Sequence, residues 1–116
     1  MDEDRRKSLR FKVTGRAQLQ LVHATRASIV RLIDISEAGV SFLSDEAVPV
    51  DAKGKLSFKI LGDTQFHEAS PIVQVRTCVL ERRMYRLGSK FVDTDPETRK
   101  VLDALIEARS RVVQGH

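Results

Sequence analysis

The sequence predicts a mainly β domain: a six-stranded antiparallel β-barrel with a C-terminal α-helix and a flexible N-terminal arm. Three observations carry this expectation. Six short apolar segments recur between residues 16 and 91, two of them with strict two-residue alternation. After residue 95 the apolar spacing changes to that of a helix. A chain of 116 residues holds one hydrophobic core but not two, and 41% hydrophobic with 31% charged residues is the composition of a globular domain.

Residues 1–15 carry charges of both signs, lack an apolar period and end at Gly15, which predicts an arm outside the core, the barrel and helix occupying 16–116. From Arg16 to His23, Ala17, Leu19 and Leu21 alternate with Gln18 and Gln20, the pattern of a half-buried strand. Ala27 to Ile35 is apolar on both sides, which suits a well-covered strand or one with a bulge. Gly39 to Leu43 follows. In Lys53 to Ile60, Lys55, Ser57 and Lys59 alternate with Leu56, Phe58 and Ile60. Pro71 to Leu80 and Met84 to Phe91 flank Glu81-Arg82-Arg83 as a hairpin with a short loop. Asp95-Pro96-Glu97 then supplies a cap, a first-turn proline and an early acid. Val101, Leu102, Leu105 and Ile106 continue a helix to near Val112.

Charge narrows the partners. A formal net charge of +4 favours anionic ligands, and the densest cationic cluster is Arg5, Arg6, Lys7, Arg10, Lys12 and Arg16. No apolar run approaches the roughly 18 residues of a membrane span. The start, Met1-Asp2-Glu3-Asp4, is acidic where a secretory signal is basic and then apolar. The expectation is a cytoplasmic protein without membrane insertion. The one cysteine, Cys78, lies among Val75, Val79 and Leu80 and reads as a small core residue.

Two motifs carry chemistry. Arg6-Lys7-Ser8-Leu9-Arg10 places two guanidinium forks four residues apart, each able to grip phosphate oxygens or the O6/N7 edge of guanine. Spacing alone carries little weight, because Arg82-Arg83-Met84-Tyr85-Arg86 repeats it and serves as the internal control. Asp34-Ile35-Ser36-Glu37-Ala38-Gly39 is rarer. It follows the apolar run Ile29-Val30-Arg31-Leu32-Ile33 and precedes Val40-Ser41-Phe42-Leu43. Its carboxylate suits guanine N1–H and N2–H, its serine suits a phosphate or a backbone turn, and its glycine suits a tight turn or a close ligand.

In this order and strand context, the two motifs resemble the cyclic di-GMP site of the PilZ domain family. The resemblance covers nearly the whole chain and includes Leu87-Gly88-Ser89-Lys90-Phe91, which looks like the family's closing strand. It implies a PilZ-like split barrel and a non-enzymatic bacterial receptor. Arg6, Arg10, Asp34, Ser36 and Gly39 would then bind cyclic di-GMP, and binding would order the arm for a protein partner. Family precedent for that partner is the flagellar motor, exopolysaccharide synthesis or transcription machinery, and the residues do not choose among them. Arg5 adds a third guanidinium, suited to stacking on an exposed guanine. Three cations suit an intercalated ligand pair, so two cyclic di-GMP molecules per chain are expected. Arg76 is a further candidate for stacking.

Catalysis, cofactor and metal have no basis in the residues. His23, His67 and His116 lie in unrelated segments without ligand spacing. Ser36 has no elbow motif and no histidine partner. The alternative reading is a small basic barrel that tracks single-stranded nucleic acid. Aromatics at 5%, no tryptophan, and Phe42, Phe58, Phe66 and Phe91 within or beside apolar strands leave few stacking platforms for it.

Overall fold

The computed structural model describes residues 9–114. Eight strands run in chain order: β1 (Phe11–Lys12), β2 (Arg16–Leu21), β3 (Ser28–Ile35), β4 (Gly39–Ser44), β5 (Lys53–Leu61), β6 (Phe66–Ala69), β7 (Ile72–Glu81) and β8 (Met84–Phe91). One helix, α1 (Pro96–Gln114), follows. All strand pairings are antiparallel. Six strands close a ring in the order β3-β2-β5-β7-β8-β4, with β4 returning to pair β3. Closure removes the free edges that an open sheet of this size would expose. β1 is added to β3 outside the ring, and β6 to β5.

The six expected strands are those of the ring, and each alternating pattern faces as its residues dictate. Ala17, Leu19, Leu56, Phe58 and Ile60 are buried, while Gln18, Lys55 and Lys59 face out. Phe42, Ile35, Leu87, Val73 and Val75 complete the interior. α1 closes one end with Leu102, Leu105, Ile106 and Ala108. Its start is the capped one expected: Asp95 Oδ1 accepts from the Thr98 backbone N–H at 2.7 Å, and Oδ2 accepts from the Thr98 hydroxyl at 3.0 Å. These bonds hold the Asp95 carboxyl below its ordinary pKa, the Thr98 backbone donor being the largest cause. No helix among the described residues is long and apolar enough to cross a membrane.

Two strands were not expected. β6 is polar and short, and β1 falls inside the segment read as an arm. Phe11 and Val13 are buried in the core, and Phe11 pairs with Ile35 and Lys12 with Asp34. The root of the segment read as an arm thus packs with the barrel. The aromatic reading is corrected at one position: Phe66, on the edge strand β6, is 62% exposed. Cys78 is half-buried and packs against the core.

Two bulges shape the wall. In β3 the pairing passes from Leu32↔Phe42 to Asp34↔Ser41, leaving Ile33 as the extra residue. In β7 it passes from Val75↔Ser89 to Thr77↔Gly88, leaving Arg76. Each insertion reverses the alternation that follows it. Val30 and Leu32 point into the core before the β3 bulge and Ile35 after it, so Asp34 emerges on the outer face.

Candidate ligand site

Across five strands, one row of the outer face reads Lys12, Asp34, Ser41, Gly88 and Thr77. At strand spacings of about 4.8 Å this row spans an arc of roughly 19 Å. Its middle is low. Gly88 has no side chain, its N–H donates to Thr77 Oγ1 at 3.2 Å, and a Cβ there would stand 2.7 Å from that oxygen.

Asp34 is the centre of charge. Its side chain is only 14% exposed, and Arg10 Nη1 donates to its Oδ1 at 2.9 Å. The same nitrogen donates to Ser41 Oγ at 3.4 Å. Arg86 Nη2 stands 3.9 Å from the other carboxylate oxygen, Oδ2. One carboxylate is thus flanked by two guanidinium groups, each about half exposed and each with most of its donors unengaged among the described residues. An ion pair whose cation is half exposed to water is screened and contributes about 1 kcal/mol. A bidentate fork on guanine contributes roughly 1–3 kcal/mol. The arginines are therefore held near the row without being committed to Asp34.

Arg86 is the residue that the sequence reading missed. It is the second arginine of the repeat treated as a control, yet the β4–β8 register, with Ser41 opposite Gly88 and Leu43 opposite Arg86, brings it beside Asp34. Its partner in the repeat, Arg82, sits at the β7–β8 hairpin turn with φ of 57°. Arg76 is exposed at the β7 bulge, next to the end of the row at Thr77. Arg5 and Arg6 lie outside the described residues.

Ser36 and Gly39 have a different place. Ser36 is 2% exposed, and its Oγ accepts from the backbone N–H groups of Ala38 and Gly39 at 3.3 and 3.2 Å. Its own N–H donates to Gly39 O at 2.8 Å. The hydroxyl is engaged in the turn between β3 and β4. Gly39 does not have a positive φ. What excludes a side chain there is β8, since a Cβ would fall 1.9 Å from Ser89 O. Both residues fix the turn behind Asp34 rather than face the row.

A cleft of about 310 Å³ lies elsewhere on the barrel, lined by residues including Gln18, Ser57, Phe58 and Glu68. It contains no residue of either motif. No group of three His, Cys, Asp or Glu side chains is arranged to hold a metal among the described residues.

The model of the PilZ domain family matches residues 4–108. The fold is similar to two solved structures from Escherichia coli. One is the PilZ domain of YcgR with c-di-GMP, at 16% identity and a TM-score of 0.66, covering 96% of this chain and 95% of that one. The other is YcgR in complex with c-di-GMP, at 16% identity and a TM-score of 0.67, of which this chain spans 48%. No curated protein sequence matches significantly.

Proposed function

Because the chain belongs to the PilZ domain family, we propose that it is a receptor for cyclic di-GMP that binds the dinucleotide on the outer row of the barrel and acts without catalysing a reaction. The observation that carries this reading is the juxtaposition at Asp34, where an acceptor for guanine N1–H and N2–H stands between the guanidinium groups of Arg10 and Arg86. The low floor at Ser41 and Gly88 leaves room for a flat base beside them. The two solved structures named above are described as holding c-di-GMP.

In this mechanism Arg10 exchanges its bond to Asp34 for phosphate oxygens or a guanine O6/N7 edge, and Arg6 supplies a second fork. Asp34, relieved of Arg10, accepts from a guanine. Arg86 keeps the carboxylate compensated during the exchange, which would otherwise leave a mostly buried charge unpaired. Ser36 and Gly39 contribute by holding the turn, and direct contact by Ser36 requires its hydroxyl to leave Ala38 and Gly39. Ligand and arm together then present a new surface to a protein partner. The same reading places the protein in the cytoplasm.

Calorimetric titration with cyclic di-GMP tests this, with GTP and single-stranded DNA as controls. Saturable binding of cyclic di-GMP alone supports the receptor. Preference for DNA would move the reading to a nucleic-acid barrel.

A further inference from the structure

Both motif-bearing segments are fastened to the same helix, each by an arginine. Near the start of α1, Arg99 Nη1 donates to the Glu37 carbonyl in the β3–β4 turn at 3.1 Å. The Arg99 guanidinium also lies 5.6 Å from the Phe91 ring centroid. Near the end of α1, Arg109 Nη2 donates to the Lys12 carbonyl on β1 at 3.0 Å, and Nη1 donates to the Gly62 carbonyl at 3.2 Å. Ten residues of helix, about 15 Å, separate the two fastenings.

The Arg109 contact is hard to explain as packing alone. Its Nε is buried without a partner among the described residues, and an apolar side chain would cover the same surface without stranding a donor. What the fork specifies is position. β1 has two residues and, among the described residues, pairs only with β3, so few of their contacts fix it: Phe11 and Val13 in the core, the ladder to β3, and Arg109. Lys12, whose carbonyl Arg109 holds, is the β-ladder partner of Asp34 and lies two residues from Arg10.

We propose that Arg109 is a positioning residue for the ligand site, holding the root of the arm so that Arg10 faces Asp34, and that α1 in turn senses whether the site is filled. This rests on the receptor reading above. Coupling of this kind is reciprocal: a contact that prepares the arm for the dinucleotide is strengthened when the dinucleotide holds the arm. α1 is then the element through which occupancy of the row reaches the end of the barrel that it closes.

The test is amide hydrogen exchange of the full chain with and without cyclic di-GMP, together with calorimetry of three variants. Binding should slow exchange along α1 in the unaltered protein. Arg109→Met keeps the apolar stem and removes both bonds, and should weaken binding about tenfold while abolishing the ligand-dependent protection of α1. Arg109→Lys should recover part of both effects. Arg111→Met, which loses only the exposed pairing with Asp63 and Glu107, should bind as the unaltered protein does. If cyclic di-GMP binds but exchange of α1 is unchanged, or if Arg109→Met binds with unaltered affinity, the inference is overturned and the receptor reading stands. The exchange comparison on the unaltered protein decides even if Arg109→Met does not fold. Absence of binding to the unaltered protein overturns both.

Discussion

Arg10 and Asp34, 24 residues apart in sequence, meet at 2.9 Å on the outer wall of the barrel. The pair joins the two sequence motifs through their own side chains. Its modest strength makes Arg10 available to a ligand that offers a better acceptor geometry.

Replacing Arg10 or Arg6 with alanine is expected to weaken cyclic di-GMP binding by roughly 1–3 kcal/mol each, about five- to 150-fold. Arg86→Ala should also weaken it, because Asp34 then loses its second guanidinium. Arg82→Ala, at the hairpin turn, should have no effect. Calorimetric titration of the four variants reads this, and equal losses from Arg82 and Arg86 would show that general positive charge is responsible.

Asp34 should discriminate guanine from adenine. The unaltered protein is expected to prefer cyclic di-GMP to cyclic di-AMP, and Asp34→Ala should narrow that preference by at least about tenfold, the effect of one lost hydrogen bond to a charged acceptor. Asp34→Asn keeps an acceptor and should fall between. Competition between the two dinucleotides measures it, and equal affinities in the unaltered protein would refute base reading by this carboxylate.

Gly39→Ala should be among the most damaging small substitutions. The added methyl meets Ser89 O, a backbone atom that moves only if β4 and β8 separate. The expected loss is at least about 1–3 kcal/mol of stability, read by denaturant unfolding. Alanine at Gly15, where the strain is one of φ at 121° and no atom lies within 4 Å, should leave the β4–β8 pairing intact.

The Asp95 cap gives a pH signature. Its pKa is lowered in the folded state, so its contribution is fully present above the ordinary carboxylate value of about 4 and is lost as pH falls through the folded value. Asp95→Ala should therefore melt earlier than the unaltered protein at pH 7, and the gap should close in acid below about pH 4. A gap that is constant down to pH 2 would mean the cap acts without its charge.

Stoichiometry follows from the number of cations. With Arg5, Arg6, Arg10 and Arg86 available, two intercalated cyclic di-GMP molecules per chain are expected, with Arg5 stacked on the outer guanine. Arg5→Leu should shift the titration endpoint towards one. An endpoint of one in the unaltered protein would remove the paired-ligand idea without touching the receptor assignment.

The barrel was legible wherever a strand announced its two faces. Lys53–Leu61 alternates so regularly that its burial could be read from residue types, and the helix was marked by Asp95, Pro96 and a change of period. β6 was not legible, because Phe66-His67-Glu68-Ala69 has no apolar face and forms by pairing with β5. The site was half legible. Asp34 and Arg10 belong to local patterns, whereas Arg86 joins them only through two strand registers that no local pattern encodes. The repeat Arg82-x-x-x-Arg86 looks the same as the functional candidate in sequence and differs from it in topology.

The bulge at Ile33 separates the inheritance of the site from that of the core. Ahead of it even-numbered residues, Val30 and Leu32, face inward; behind it Ile35 does, and Asp34 is left outside. The direction of Asp34 is thus owed to a count of residues, not to its own chemistry. A point substitution at 34 changes what the wall offers a ligand and leaves the wall standing. Deleting Ile33 would remove the extra residue and straighten the strand, and Asp34 would then follow Leu32 directly, still opposite Ser41 and still outward. Sites of this construction are open to gradual retuning by substitution, and even loss of the one residue that the ladder skips would leave the carboxylate on the outer wall.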